Sequence, residues 1–121
     1  ERERPYQQYF TEGPVLDLGC GRGEFLELLQ EAGVPARGVD GDPGMVKRCK
    51  ERGLEVERGD LLAFLASQED ASLCGVFCAQ VVEHLPPQVI SSLLYTSSQK
   101  LRPGGVFLAE TINLQIYQRL S

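Results

Sequence analysis

Apolar and polar positions along the chain switch repeatedly between two rhythms. Pro14–Leu18 opens as a short apolar run, glycines then alternate, and apolar residues return at Phe25, Leu28, Leu29 and Ala32, the i, i+3, i+4, i+7 face of a helix. The pattern predicts a buried strand, a tight turn and a helix from about Gly23 to Ala32, with Gly33 suited to the left-handed position that ends helices. Arg37–Asp40 reads as a second, short strand. Asp42-Pro43 reads as N-cap and first helical residue, ahead of a helix lined by Met45, Val46 and Cys49 and closed by Gly53. Leu54–Glu57 is a third strand with the polar flanks of a sheet edge, and Leu61, Leu62 and Leu65 start a short amphipathic helix. Ser72–Ala79 is apolar on both faces, as a central parallel strand requires. Pro86-Pro87 opens a helix carried by Ile90, Leu93, Leu94, Ser97 and Leu101. Pro103-Gly104-Gly105 stops it, and Gly105–Thr111 is a fifth strand.

The ends are less periodic. Glu1–Gly13 mixes charges with Tyr6, Tyr9 and Phe10 and predicts a short leading helix or an arm against the sheet; Ile112–Ser121 predicts a short helix or a frayed tail. Strand and helix otherwise alternate without a hairpin signal such as Asn-Gly. That implies one α/β domain over residues 1–121, a parallel sheet covered on both faces by right-handed crossovers.

Composition narrows the function classes. An apolar fraction of 42% in 121 residues is enough for one packed core and argues against disorder. The net charge of −5, with basic residues scattered, gives no footprint for nucleic acid or an anionic membrane. No apolar run approaches the roughly 18–20 residues of a membrane span, and no signal peptide opens the chain. A cytoplasmic protein is expected, and a first residue of Glu1 suggests a piece of something longer. Cys20, Cys49, Cys74 and Cys78 form no C-x-x-C pair, and Cys74 and Cys78 share one face of an apolar strand. Buried, reduced thiols are expected rather than a disulfide or a zinc site.

The candidate chemistry sits where the first strand turns into its helix. Glycine at positions 19, 21 and 23 lets the backbone take φ > 0 and approach a ligand with no Cβ between. The helix start beyond offers unpaired N–H groups to oxygens or negative charge. The spacing is G-x-G-x-G; the dinucleotide fingerprint would place its third glycine where Glu24 stands. A plain strand-to-helix connection would use the same residues. Asp40, at the tip of the second strand, is suited to both hydroxyls of a ribose, or equally to capping or solvated-loop duty. Asp60 can cap the helix after it. Glu24 is explained by the favourable field of a helix start.

The run Asp17-Leu18-Gly19-Cys20-Gly21-Arg22-Gly23 resembles the first motif of the class I S-adenosylmethionine (SAM) methyltransferases. Four further stretches resemble that family in the same order: Asp40-Gly41, Gly59-Asp60-Leu61, Gln80–Leu85, and the turn Leu101–Gly105. The resemblance covers most of Val15–Glu110. It implies a three-layer Rossmann-like fold with strand order 3-2-1-4-5, the family's strands 6 and 7 being absent. The fifth strand would then be an open edge, able to pair with a second copy. It implies SAM as cofactor, with S-adenosylhomocysteine as product. The cofactor contacts would be Asp17, Gly19, Cys20, Gly21, Gly23, Asp40, Gly41, Asp60, Leu61 and Gln80, with Asp60 accepting from the adenine amine and Leu61 covering the ring. Arg22 would meet the SAM carboxylate or solvent.

Methyl transfer from a sulfonium needs positioning before anything else, and a base only where the acceptor must lose a proton. His84, the sole histidine, has the ordinary pKa for that base and Glu83 could orient or replace it; His84 could instead brace the loop into the next helix. Relatives that bind a divalent ion carry an acid where Gln80 stands, so no metal is expected. The expected activity is SAM-dependent methyl transfer. The alternatives are a SAM-fold module without catalysis and a nicotinamide-dependent oxidoreductase. The resemblance extends to methyltransferase domains of bacterial surface-polysaccharide proteins, which points to a sugar or phosphate oxygen as acceptor, with a small metabolite such as a quinone precursor as competitor.

Overall fold

The computed structural model describes residues 4–79, 85–110 and 115–120. In chain order the elements are α1 (Arg4–Gln7), β1 (Val15–Leu18), α2 (Glu24–Glu31), β2 (Ala36–Asp40), α3 (Pro43–Glu51), β3 (Val56–Arg58), α4 (Leu61–Ala66), β4 (Leu73–Ala79), α5 (Pro87–Lys100), β5 (Leu101–Glu110) and β6 (Gln115–Arg119). They build one six-stranded sheet of order β3-β2-β1-β4-β5-β6. The first five strands run parallel, and β6 runs antiparallel to β5 with Val106 opposite Arg119 and Glu110 opposite Gln115.

Side-chain alternation in the central strands divides the core between the two faces. Leu16 and Leu18 of β1 join Val76 and Cys78 of β4 and Phe107 and Ala109 of β5 under α4 and α5, through Leu65 and Leu93. Val15, Phe77, Val106 and Leu108 face the other way and meet Phe25, Leu28 and Leu29 of α2 and Phe10 of the leading segment. That segment therefore lies against the sheet, as its aromatics suggested. A third cluster, Cys20, Leu26, Val46, Cys49, Leu54 and Val56, fixes α3 beside α2. The four cysteines are free and buried. Among the described residues no helix is long and apolar enough to cross a membrane.

The strand order across β3 to β5 is the expected one, and β3 is the edge its polar flanks suggested. Three expectations are corrected. The sheet does not stop at five strands: residues 115–119, read as a helix or frayed tail, form β6. Because β5 lies between β4 and β6 it is not an open edge, so pairing of two copies through β5 has no basis. Finally, β5 begins at Leu101 rather than Gly105. Leu101 pairs with Leu73, the register shifts, and pairing resumes between Gly75 and Val106, so Pro103-Gly104 bulges within the strand instead of preceding it.

Candidate functional site

The cofactor-motif residues placed by the structure lie at the carboxyl ends of the parallel strands, where turns lead into helices, whereas Leu101–Gly105 lies at the start of β5, at the other end of the sheet. The first turn follows β1. Gly19, Gly21 and Gly23 have φ of 79°, 54° and 82°, a left-handed conformation at every second residue that explains why the positions are glycine. The amides of Gly19 and Cys20 both donate to the Val39 carbonyl, at 2.8 and 3.1 Å, which ties the turn to β2. Gly23 is the N-cap of α2 and supplies no capping side chain. Glu24 and Glu27 stand in the first helical turn, where the helix dipole favours them.

The second turn follows β2, and its acids divide the work that the sequence left undecided. Asp42 is the cap: its Oδ1 accepts from the amides of Gly44 at 2.8 Å and Met45 at 3.3 Å. Asp40 instead faces the glycine turn. Its Oδ2 accepts from the Gly21 amide at 2.8 Å and its Oδ1 from the Asp42 amide at 2.9 Å. Each carboxylate oxygen keeps acceptor capacity beyond those bonds. After β3, Asp60 is the N-cap of α4 and accepts from the Ala63 amide at 2.9 Å, and the Gly59 amide donates to the Asp40 carbonyl at 3.2 Å.

Two hollows open on this edge and share Gly19. One, of about 400 Å³, is lined by Gly19, Asp40, Gly41, Gly59, Asp60 and Leu61. The other, of about 140 Å³, lies over Asp17, Cys20, Gly21, Arg22, Phe77 and Ala79, with Glu24 and Phe25 beside them. Together they reach the size range of small-molecule sites. Asp17, 2% exposed, places a carboxylate at the floor of the smaller one. The rings of Phe25 and Phe77 stack at 4.0 Å along the same wall. A separate hollow at the opposite end of the sheet, among Tyr9, Cys74, Arg102 and Arg119, holds none of the cofactor-motif residues.

The structure thus gathers Asp17, Gly19, Cys20, Gly21, Asp40, Gly41, Asp60 and Leu61 around one cleft. Gly23 is not brought to it. A Cβ there would meet Leu54 Cδ1 at 2.6 Å and Cys49 Sγ at 2.9 Å, so its lack of a side chain serves packing against α3. Cys20 borders the cleft, but its thiol packs with Leu26, Cys49 and Leu54. Burial, with the Asp17 carboxylate adding to it, pushes that thiol far above the ordinary range, which removes it as a nucleophile. Gln80, Glu83 and His84 lie outside the described residues; Ala79, just before them, lines the cleft. Sequence reasoning missed Phe25 and Phe77, whose positions in apolar runs read as core. Among the described residues there is no cluster of three or more residues able to hold a metal.

Comparison with known proteins converges on one family. A family model described as "Methyltransferase domain" matches residues 15–105. The ubiquinone biosynthesis O-methyltransferase of Xanthomonas oryzae pv. oryzae is 30% identical over 104 residues, covering 82% of this chain and 43% of the relative. That of Leptothrix cholodnii is 33% identical over 105 residues, covering 82% and 44%. The chain therefore spans less than half the length of these curated relatives. A SAM dependent methyltransferase from Archaeoglobus fulgidus, known as a crystal structure, superposes with a TM-score of 0.86 and 39% identity, covering 91% of this chain and 50% of that one.

Proposed function

The chain belongs to the class I SAM-dependent methyltransferases, and from that premise we propose that its carboxyl-edge cleft binds SAM and presents the activated methyl group to an acceptor oxygen. The observation that carries this reading is the convergence of the glycine turn, Asp40 and Asp60 on hollows that meet at Gly19.

The residues present fit that cofactor. Gly21 has φ +54° and open space where a Cβ would stand, so a ligand can approach its backbone. The free acceptor capacity of Asp40 suits a ribose diol, and Asp60 with Leu61 suits an adenine edge and face. Asp17 and the glycine turn are left to the methionine end. SAM supplies the electrophile, a methyl carbon activated by a sulfonium. The chain's contribution is to bind, orient and keep water out, and positioning of this kind is worth about 7–11 kcal/mol.

For the acceptor we favour a hydroxyl of a small metabolite, because the relatives matched over most of this chain are named O-methyltransferases of ubiquinone biosynthesis. A sugar or phosphate oxygen rests on resemblance of sequence runs alone. His84, with Glu83 beside it in the sequence, is the proposed base for such a hydroxyl, since the two follow within five residues of Ala79, which lines the cleft. Residues 1–121 then form the cofactor-binding domain of an enzyme whose other residues hold the acceptor. Four buried free thiols suit a reducing, cytoplasmic setting.

Calorimetric titration with SAM and S-adenosylhomocysteine tests the reading. Saturable binding of both is expected. No heat at high micromolar ligand would remove it, and binding without methyl transfer by the full-length protein would leave a SAM-binding module in its place.

A further inference from the structure

We infer that Cys49 and Arg52, from the end of α3, are positioning residues that hold the glycine turn in its cofactor-ready shape from the side facing away from the cleft. The inference rests on the SAM reading of that cleft. Neither residue lines the two hollows, so any effect on the cofactor must pass through the turn.

Three successive peptide units of the turn are held, one by Asp40 from the cleft and two by residues outside it. The Gly21 amide donates to Asp40 at 2.8 Å. The Gly21 carbonyl accepts from Cys49 Sγ at 3.3 Å. The Arg22 carbonyl accepts from the Arg52 guanidinium, which also pairs with Glu27 of α2. Burial pushes the Cys49 thiol up, so it remains a protonated donor. A turn with three left-handed glycines has many conformations to lose, and each one frozen in advance is a cost the ligand does not meet on binding. With the Gly21 and Arg22 carbonyls engaged from the end of α3, the turn keeps its backbone conformation before any ligand arrives. Arg52 makes the charge-assisted contact and Cys49 the weaker thiol contact, so removing Arg52 carries the larger effect.

The test measures SAM affinity by calorimetry, and unfolding by denaturant, in the full-length protein. Arg52→Met keeps the apolar stem and removes every donor; it is expected to weaken SAM at least fivefold. Cys49→Ala is expected to weaken it two- to threefold. Arg52→Lys and Cys49→Ser restore a donor and are expected to recover most of the loss. Glu27→Gln removes the ion pair alone, and should lower stability while leaving SAM affinity within twofold. Wild-type binding with unchanged affinity in Arg52→Met and Cys49→Ala would overturn the inference and leave the cofactor reading standing. So would Cys49→Ser binding no better than Cys49→Ala, which would mark the contact as packing. Failure of the wild type to bind SAM would overturn the cofactor reading itself.

Discussion

Two strand-to-helix turns lie side by side on the carboxyl edge of the sheet and are finished in opposite ways. The turn from β2 to α3 is closed by its own chemistry: Asp42 caps the amides of Gly44 and Met45, and Pro43 fills the first helical position. The turn from β1 to α2 has no capping side chain and three left-handed glycines. Capping a helix with the chain's own carboxylate removes the amides that a ligand would use. On the proposed function, the difference makes one turn structural and leaves the other open for a ligand. Asp40 joins them, accepting from Gly21 in the open turn and Asp42 in the closed one.

The most damaging way to break this comparison is Gly23→Ala. The substitution combines a left-handed backbone, costing about 1–2 kcal/mol, with overpacking against Leu54 and Cys49, costing about 1–3 kcal/mol. A loss of about 3 kcal/mol in urea unfolding is expected. Gly21→Ala, with φ +54° and nothing within 4 Å, should lose only about 1 kcal/mol and still weaken SAM. Equal losses at the two sites would mean the turn is uniformly structural.

Asp40→Ala comes next, because it cuts both turns at once. Two charge-assisted backbone bonds are lost, and a destabilisation of about 2 kcal/mol is expected, with SAM affinity at least tenfold lower by calorimetry. Asp42→Ala isolates the closed turn. It should cost about 1 kcal/mol in the same unfolding assay and leave SAM affinity within twofold. An affinity loss equal to that of Asp40→Ala would erase the distinction between the turns.

Much of this edge was legible before the fold was known, for a physical reason. Glycines at alternate positions and the pair Asp42-Pro43 are local signals, and local geometry is what a short stretch of sequence encodes. The strand order β3 to β5 followed from the alternation of strand and helix together with the family resemblance. What stayed hidden depends on distant partners. Asp40 could not be told from a cap until the Gly21 amide was seen beside it. Arg52 and Cys49 act across the turn, with no signature in their own neighbourhood. Phe25 and Phe77 look like any core aromatics. β6 was missed because its Tyr117, Gln118 and Arg119 are all exposed, so an edge strand there shows little apolar alternation.

The third turn, from β3 to α4, gives the smallest effect on stability and the sharpest division of roles. Asp60 is both the cap of α4, through the Ala63 amide, and the proposed acceptor for the adenine amine. Asp60→Asn separates these duties. Asparagine caps as well as aspartate, so unfolding should shift by less than about 0.5 kcal/mol. The amide has one acceptor oxygen, however, and once that oxygen serves Ala63 its NH₂ group meets a second donor on the adenine edge. An unpaired donor at such a contact costs on the order of 1–3 kcal/mol, so SAM affinity should fall about tenfold while the helix remains capped. Unchanged affinity in Asp60→Asn would assign Asp60 to capping alone, and the third turn would then belong with the closed one.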